Sequence, residues 1–167
     1  MRQLKTPKPI LIALICILFF TQTQAQTGKT ENKQQDKNSI KKEITASLET
    51  WNNAAKSRNL KQFMDLYDAS PDIMIVGSDS GEIYKGREQI EKWAAKLLSF
   101  ASFSWDMKRI DIDANGNTAW VFIDGFMVVT NDKGHTRKFP YRFTGILVKV
   151  NDAWKWRLFN GSVPGGH

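Results

Sequence analysis

The 167-residue chain is predicted to be an α+β domain, with three helices preceding a long antiparallel or mixed sheet. Three observations carry this. Apolar residues recur at helical spacing from Ile40 to Leu98, and beyond Phe103 the chain turns to long segments rich in β-branched and aromatic residues. Those segments are separated by Asn115-Gly116, Asp132-Lys133-Gly134 and Asn151-Asp152-Ala153, which read as the turns of a meander.

The chain opens with Arg2, Lys5 and Lys8, an apolar run from Ile10 to Phe20, and small residues at Thr23-Gln24-Ala25. This is the pattern of a cleaved secretory signal over residues 1–25. The run is shorter than the roughly 17–25 apolar residues a membrane span requires, so no stable membrane insertion is expected after cleavage. Cys16 is preceded by Ile15 rather than a small residue, which argues against lipid attachment. Cleavage removes this lone cysteine, leaving neither disulfide nor thiolate ligands. The expected location is the periplasm or the extracellular medium.

The formal charge of +7 falls to +4 without the three leader cations, and the remaining basic residues are interspersed with acids. Nucleic acid is therefore not an expected partner. Residues 26–38 hold no large apolar side chain and read as a flexible tether, which leaves 39–167 as one domain.

Ile40, Ile44, Leu48, Trp51 and Ala55 define one face of a first helix, capped by Asn38 or Ser39 and ending near Arg58. Asn59 followed by Gln62 starts a short second helix bearing Leu60, Phe63, Leu66 and Tyr67, closed by Pro71. The run from Pro71 to Leu98 reads as strand, tight loop, short strand and amphipathic helix. That third helix opens at Gly86 and presents Ile90, Trp93, Ala94, Leu97 and Leu98.

Counting outward from an Asn115-Gly116 hairpin sets Trp105 opposite Phe126 and Met107 opposite Asp124. A five-residue loop from Asn131 to His135 sets Asp124 opposite Arg142 and Phe122 opposite Thr144. A three-residue last loop then sets Val148 opposite Trp156 and Thr144 opposite Asn160, whereas a two-residue loop moves the last strand's set to the other face. On the first count Trp105, Phe122, Asp124, Arg142, Thr144 and Asn160 share a concave face. Val121, Ile123, Met127 and Val129 then form an apolar convex face suited to a homodimer.

The stretches GSDSGEIYKGREQI, YRFTGILVK and the final SVP resemble SnoaL-like, polyketide-cyclase-like domains of the nuclear-transport-factor-2-like superfamily, over roughly Ile40 to Pro164. The resemblance implies a cone-shaped domain of three N-terminal helices packed on a strongly curved sheet, with dimerisation through the convex side. Asn160 stands where many such domains carry a histidine. An amide cannot exchange protons near neutral pH, so activities that depend on that histidine are not implied.

No nucleophile, phosphate-binding or metal motif is present, and no cofactor is implied. His135 falls in a turn and His167 is the last residue, neither placed as a base. Asp124 is the one carboxylate on the expected concave face. It reads either as a structural partner of Arg142, which lowers its basicity, or as a general base toward a carbonyl compound. Asp79 and Glu82 read as turn residues beside glycine. Trp51 and Tyr67 come from the roofing helices and, with Trp105, Phe122, Arg142, Thr144 and Asn160, form the expected lining for a small apolar molecule. Two functions follow: a ligand-binding or dimeric assembly module without turnover, or an isomerase- or cyclase-like enzyme using Asp124.

Overall fold

The computed structural model describes residues 37–165; the expected leader and most of the expected tether lie outside the described residues. Helix α1 is under way at residue 37 and runs to 56, so residues 37 and 38, expected in the tether, are helical. It buries Ile44, Leu48, Trp51 and Ala55, the stripe its spacing predicts. Arg58 takes the left-handed conformation at φ 55°, breaking the helix. Asn59 caps α2 (Leu60–Asp65), its side-chain oxygen accepting from the Gln62 N–H at 3.0 Å. Helix α3 (Arg87–Phe100) starts after Gly86 at φ 81° and buries Ile90, Ala94 and Leu98. Among the described residues, no helix is long and apolar enough to cross a membrane.

Six strands form one mixed sheet: β1 (Met74–Val76), β2 (Ile83–Lys85), β3 (Ala101–Asn115), β4 (Thr118–Asn131), β5 (Thr136–Val150) and β6 (Ala153–Ser162). Their order is β2-β1-β6-β5-β4-β3, with every pair antiparallel except β1 with β6. Residues 40–167 make one compact unit; of the preceding unit, 1–39, residues 37–39 are described and are helical.

Both faces of β4 are apolar, and the structure reverses the expected assignment. Val121, Ile123 and Met127 turn inward toward the helices with Phe143 and Leu147 of β5. Trp120, Phe122, Asp124 and Phe126 turn outward. The anchors were sound, since Trp105 and Trp156 are both core residues. What changes is the count across the hairpins.

The β3–β4 loop is Gly116-Asn117, with Asn115 opposite Thr118. Gly116 at φ 57° occupies the first central position of the turn. A bulge at Lys108 then sets Trp105 opposite Met127, not Phe126, and Arg109 rather than Met107 opposite Asp124. Gly125 makes the bulge possible, because a Cβ there would lie 2.1 Å from the Asp106 carbonyl oxygen. At the last turn the two-residue alternative holds, with Asn151 at φ 49° and Asp152 at φ 59°. Trp156 therefore faces Leu147, and a second irregularity at Arg157 restores the expected Thr144–Asn160 pairing. Each bulge flips the side-chain phase by one residue, so an alternation rule carried across it selects the wrong face.

Two polar contacts fix the helices to the sheet. Asn52 of α1 acts as a one-residue strand beside β3: its Oδ1 accepts from the Trp105 N–H at 2.7 Å and its Nδ2 donates to the Trp105 carbonyl at 3.0 Å. The segment after α2 runs beside β6, with Trp156 N–H donating to Leu66 O at 2.8 Å and Asp68 N–H donating to Trp156 O at 2.9 Å. Trp105 and Tyr67 are thereby held rigidly by their own main chains.

Candidate functional site

Between the inner sheet face and the helices lies a cavity of about 200 Å³. Its walls are aromatic: Trp51 from α1, Trp93 from α3, Phe103 and Trp105 from β3, Tyr141 from β5 and Phe159 from β6, with Leu97, Met127 and Tyr67 between them. The loop joining β1 to β2 supplies Gly77, Ser78, Asp79 and Glu82. A wider depression of about 530 Å³, edged by Lys41, Arg109 and Trp120, lies open along the surface and has no comparable apolar enclosure.

Trp51 is the hub of the apolar wall, stacked on Trp105 at 4.1 Å between ring centroids and within 6 Å of Phe63, Phe143, Trp156 and Phe159. Its indole N–H donates to the Tyr67 hydroxyl at 3.1 Å. The Trp105 indole N–H is buried with no partner among the described residues. Tyr141 is accommodated because Gly161, the β6 partner of Phe143, has no side chain: a Cβ there would fall 2.0 Å from the Tyr141 hydroxyl oxygen.

Burial pushes both phenols upward from the usual tyrosine value. For Tyr67 the Trp51 hydrogen bond acts in the opposite direction without overcoming burial. For Tyr141 a hydrogen bond with Ser78 likewise opposes it, while the negative charges of Glu82 and Asp79 add to the rise. Both hydroxyls therefore keep their protons at neutral pH. The Tyr67 oxygen already accepts from Trp51, so that hydroxyl retains a proton to donate, while Tyr141 shares a hydrogen bond with Ser78.

Of the expected lining residues, Trp51, Tyr67 and Trp105 meet in this cavity. Phe122, Arg142, Thr144 and Asn160 do not, because the bulges place them on the outer face with Asp124. Asp124 and Arg142 are cross-strand partners as counted, with Arg142 Nε donating to Asp124 Oδ1 at 2.9 Å. The pair is about half exposed, at 45 % and 51 %. Asp124 is thus a surface ion-pair partner, away from the apolar wall on which the base assignment depended. Glu82 performs the expected turn chemistry, since its Oε2 accepts from Asp79 N–H at 3.1 Å and its carbonyl accepts from Gly77 N–H at 2.8 Å. It also borders the cavity.

Tyr141, Phe159, Trp93, Leu97, Phe103 and Met127, with the β1–β2 loop residues, also line the cavity and were not among the expected lining residues. Tyr141 had a readable signal: it alternates with Phe143 and Leu147 on the inward phase of β5. Among the described residues, no cluster of three His, Cys, Asp or Glu side chains is arranged to hold a metal ion.

A model of the SnoaL-like domain matches residues 44–165. Solved structures share the fold at low identity. One, from Xanthomonas campestris and assigned as a calcium/calmodulin-dependent protein kinase II association domain, is 22 % identical with a TM-score of 0.66, over 75 % of this chain and 88 % of that one. Another, from Streptomyces avermitilis and assigned as an NTF2-like dehydratase, is 12 % identical with a TM-score of 0.69, over 77 % and 99 %. An NTF2-like superfamily protein from Salmonella enterica is 18 % identical with a TM-score of 0.68, over 77 % and 94 %. No curated protein matches the chain.

Proposed function

From the premise that this chain belongs to the SnoaL-like domain family, we propose that it is an exported binding protein for a compact, ring-containing molecule with an oxygen acceptor. The carrying observation is an aromatic-walled cavity holding two buried phenols, Tyr67 and Tyr141, each with its oxygen engaged by the protein. A ligand carbonyl or ether oxygen can accept the Tyr67 proton while its ring packs on Trp51 and Phe159 beside Tyr141. At about 200 Å³ the cavity falls below the usual range for drug-sized ligands, roughly 300–1,000 Å³, which favours one ring over several.

Binding without turnover is the favoured form of this reading. Proton abstraction needs a basic group within reach of the ligand. The tyrosines are held protonated, and among the described residues the lining holds no histidine and takes its carboxylates from the β1–β2 loop. Acetophenone titrated into the protein is expected to quench tryptophan fluorescence saturably. Tyr141→Phe should weaken that binding, while Asp124→Asn, on the outer face, should leave it unchanged. Enzyme-dependent deuterium exchange of the acetophenone methyl group in D₂O would overturn the non-catalytic reading and direct attention to Asp79 and Glu82.

The same reading includes a homodimer formed through the outer sheet face, with a second copy as the occupant. Trp120 and Ile146 are cross-strand partners there, exposed to 50 % and 36 %, with Phe122 and Leu158 beside them. Arg109, Asp111, Asp124 and Arg142 supply both signs of charge around them. A two-fold interface requires such self-complementarity. Light scattering at micromolar concentration should give a dimer mass, and Trp120→Glu a monomer mass; a monomer mass for the parent protein would refute the interface. Export is checked separately by the mass of the protein recovered outside the cytoplasm, expected to begin at Gln26.

A further inference from the structure

We infer that the cavity selects a positively charged ligand, an organic ammonium or amidinium group held at the mouth between Asp79 and Glu82 with its ring inside the aromatic wall. This rests on the binding reading above and adds the charge of the ligand to it.

The first observation is the composition of the lining. Among the described residues it includes two carboxylates, Asp79 and Glu82, and no lysine or arginine. The chain as a whole carries 24 basic and 17 acidic residues, so the site runs against the charge of the protein that bears it. A pocket lined by chance on a basic protein would be expected to include a cation.

Neither carboxylate is neutralised by a described residue. Among the described residues, no lysine or arginine forms an ion pair with Asp79 or Glu82, whereas Asp65, Asp68, Asp72, Asp106, Asp111, Asp124 and Asp132 all have basic partners. Arg87, which starts the neighbouring helix, directs its guanidinium to the Met64 and Tyr67 carbonyls at 3.1 and 3.3 Å. Two uncompensated negative charges over a low-dielectric wall focus a negative potential into the opening.

The second observation is the wall. Trp93, Phe103, Trp105 and Tyr141 present aromatic rings to the same volume that the carboxylates border. Aromatic faces attract a cation through the ring quadrupole, and tryptophan does so best. Neither feature favours an anion: a carboxylate or phosphate ligand would enter a negative opening and find no guanidinium or ammonium inside. The same chemistry excludes fatty acids and acyl phosphates as cargo.

Three ketones of similar size and different charge test this on the full-length exported protein: 4-(trimethylammonio)acetophenone, 4-tert-butylacetophenone and 4-acetylbenzoate, each titrated by tryptophan fluorescence at low salt. The cation is expected to bind about tenfold tighter than its neutral isostere, from the two carboxylates and the aromatic rings together. The anion is expected to bind weakest. The cation-to-neutral ratio should fall toward one in Asp79→Asn combined with Glu82→Gln, a pair that keeps an acceptor for the Asp79 N–H, and should shrink as salt is raised. Equal binding of cation and neutral ketone, or tighter binding of the anion, would overturn the charge inference while leaving the binding reading intact. Failure of all three to bind would overturn both.

Discussion

Trp51→Ala is expected to lower the stability of the domain by about 3–5 kcal/mol, the range for removing a large buried aromatic side chain. Trp51 is 1 % exposed, stacks on Trp105 and touches four further rings. The vacated space has little means of collapsing, because its neighbours come from α2, β3, β5 and β6 and each is fixed by its own strand or helix. Alanine also strands the Tyr67 hydroxyl by removing the indole N–H that it accepts. Against a typical total of about 5–15 kcal/mol, such a loss leaves a marginal protein. Urea unfolding should show the midpoint falling with little change in slope. A loss under about 1.5 kcal/mol would mean that this aromatic cluster is not the packed hub described.

Arg157→Ala is expected to cost about 2–4 kcal/mol, at or somewhat below the usual range for breaking a buried ion pair because the arginine is partly exposed. Asp68 is 7 % exposed and its carboxylate is held by Arg157, whose Nε donates to Oδ2 at 2.6 Å. Removing the guanidinium leaves a negative charge buried where α2 meets β6. Combining Asp68→Asn with Arg157→Gln should be milder than Arg157→Ala alone, since an amide pair can satisfy itself without charge. Thermal unfolding of the two variants beside the parent protein checks the order, and Arg157→Ala no less stable than the double variant would contradict it. The exposed Asp124–Arg142 pair should contribute at most about 1 kcal/mol by the same measurement.

The fold was legible because its signals are local. The stripe from Ile44 to Ala55, the Asn59 cap and the Gly86 start each state their own geometry, and the structure realises all three. The cross-strand pairing of Asp124 with Arg142 was also legible, since the Asn131–His135 loop fixes it without an intervening irregularity. The faces were not. Val121 and Phe122 are equally apolar, so β4 carries no inward or outward preference, and the phase had to be carried over from Trp105 and Trp156. Each transfer crosses a bulge, at Lys108 and at Arg157, that no composition rule marks. Gly125 and Gly145 are the residual clue: a Cβ at Gly125 would strike the Asp106 main chain, and one at Gly145 the Trp156 ring. The cavity depends on the same phase, which is why Tyr141 and Phe159, on strands whose phase was carried across a bulge, were not found, while Trp51, on the regular stripe of α1, was.

The strand order has a consequence for how the chain is made. β6, the last of these six strands to be synthesised, lies inside the sheet between β1 and β5, so β1 and its hairpin partner β2 have no sheet to join until residues near 160 are available. At roughly 5–20 residues per second, the greater part of the domain waits several seconds for its closing piece. Contacts this distant in sequence form late and slowly. Through that interval Ile75 of β1 remains without its β6 neighbour Phe159.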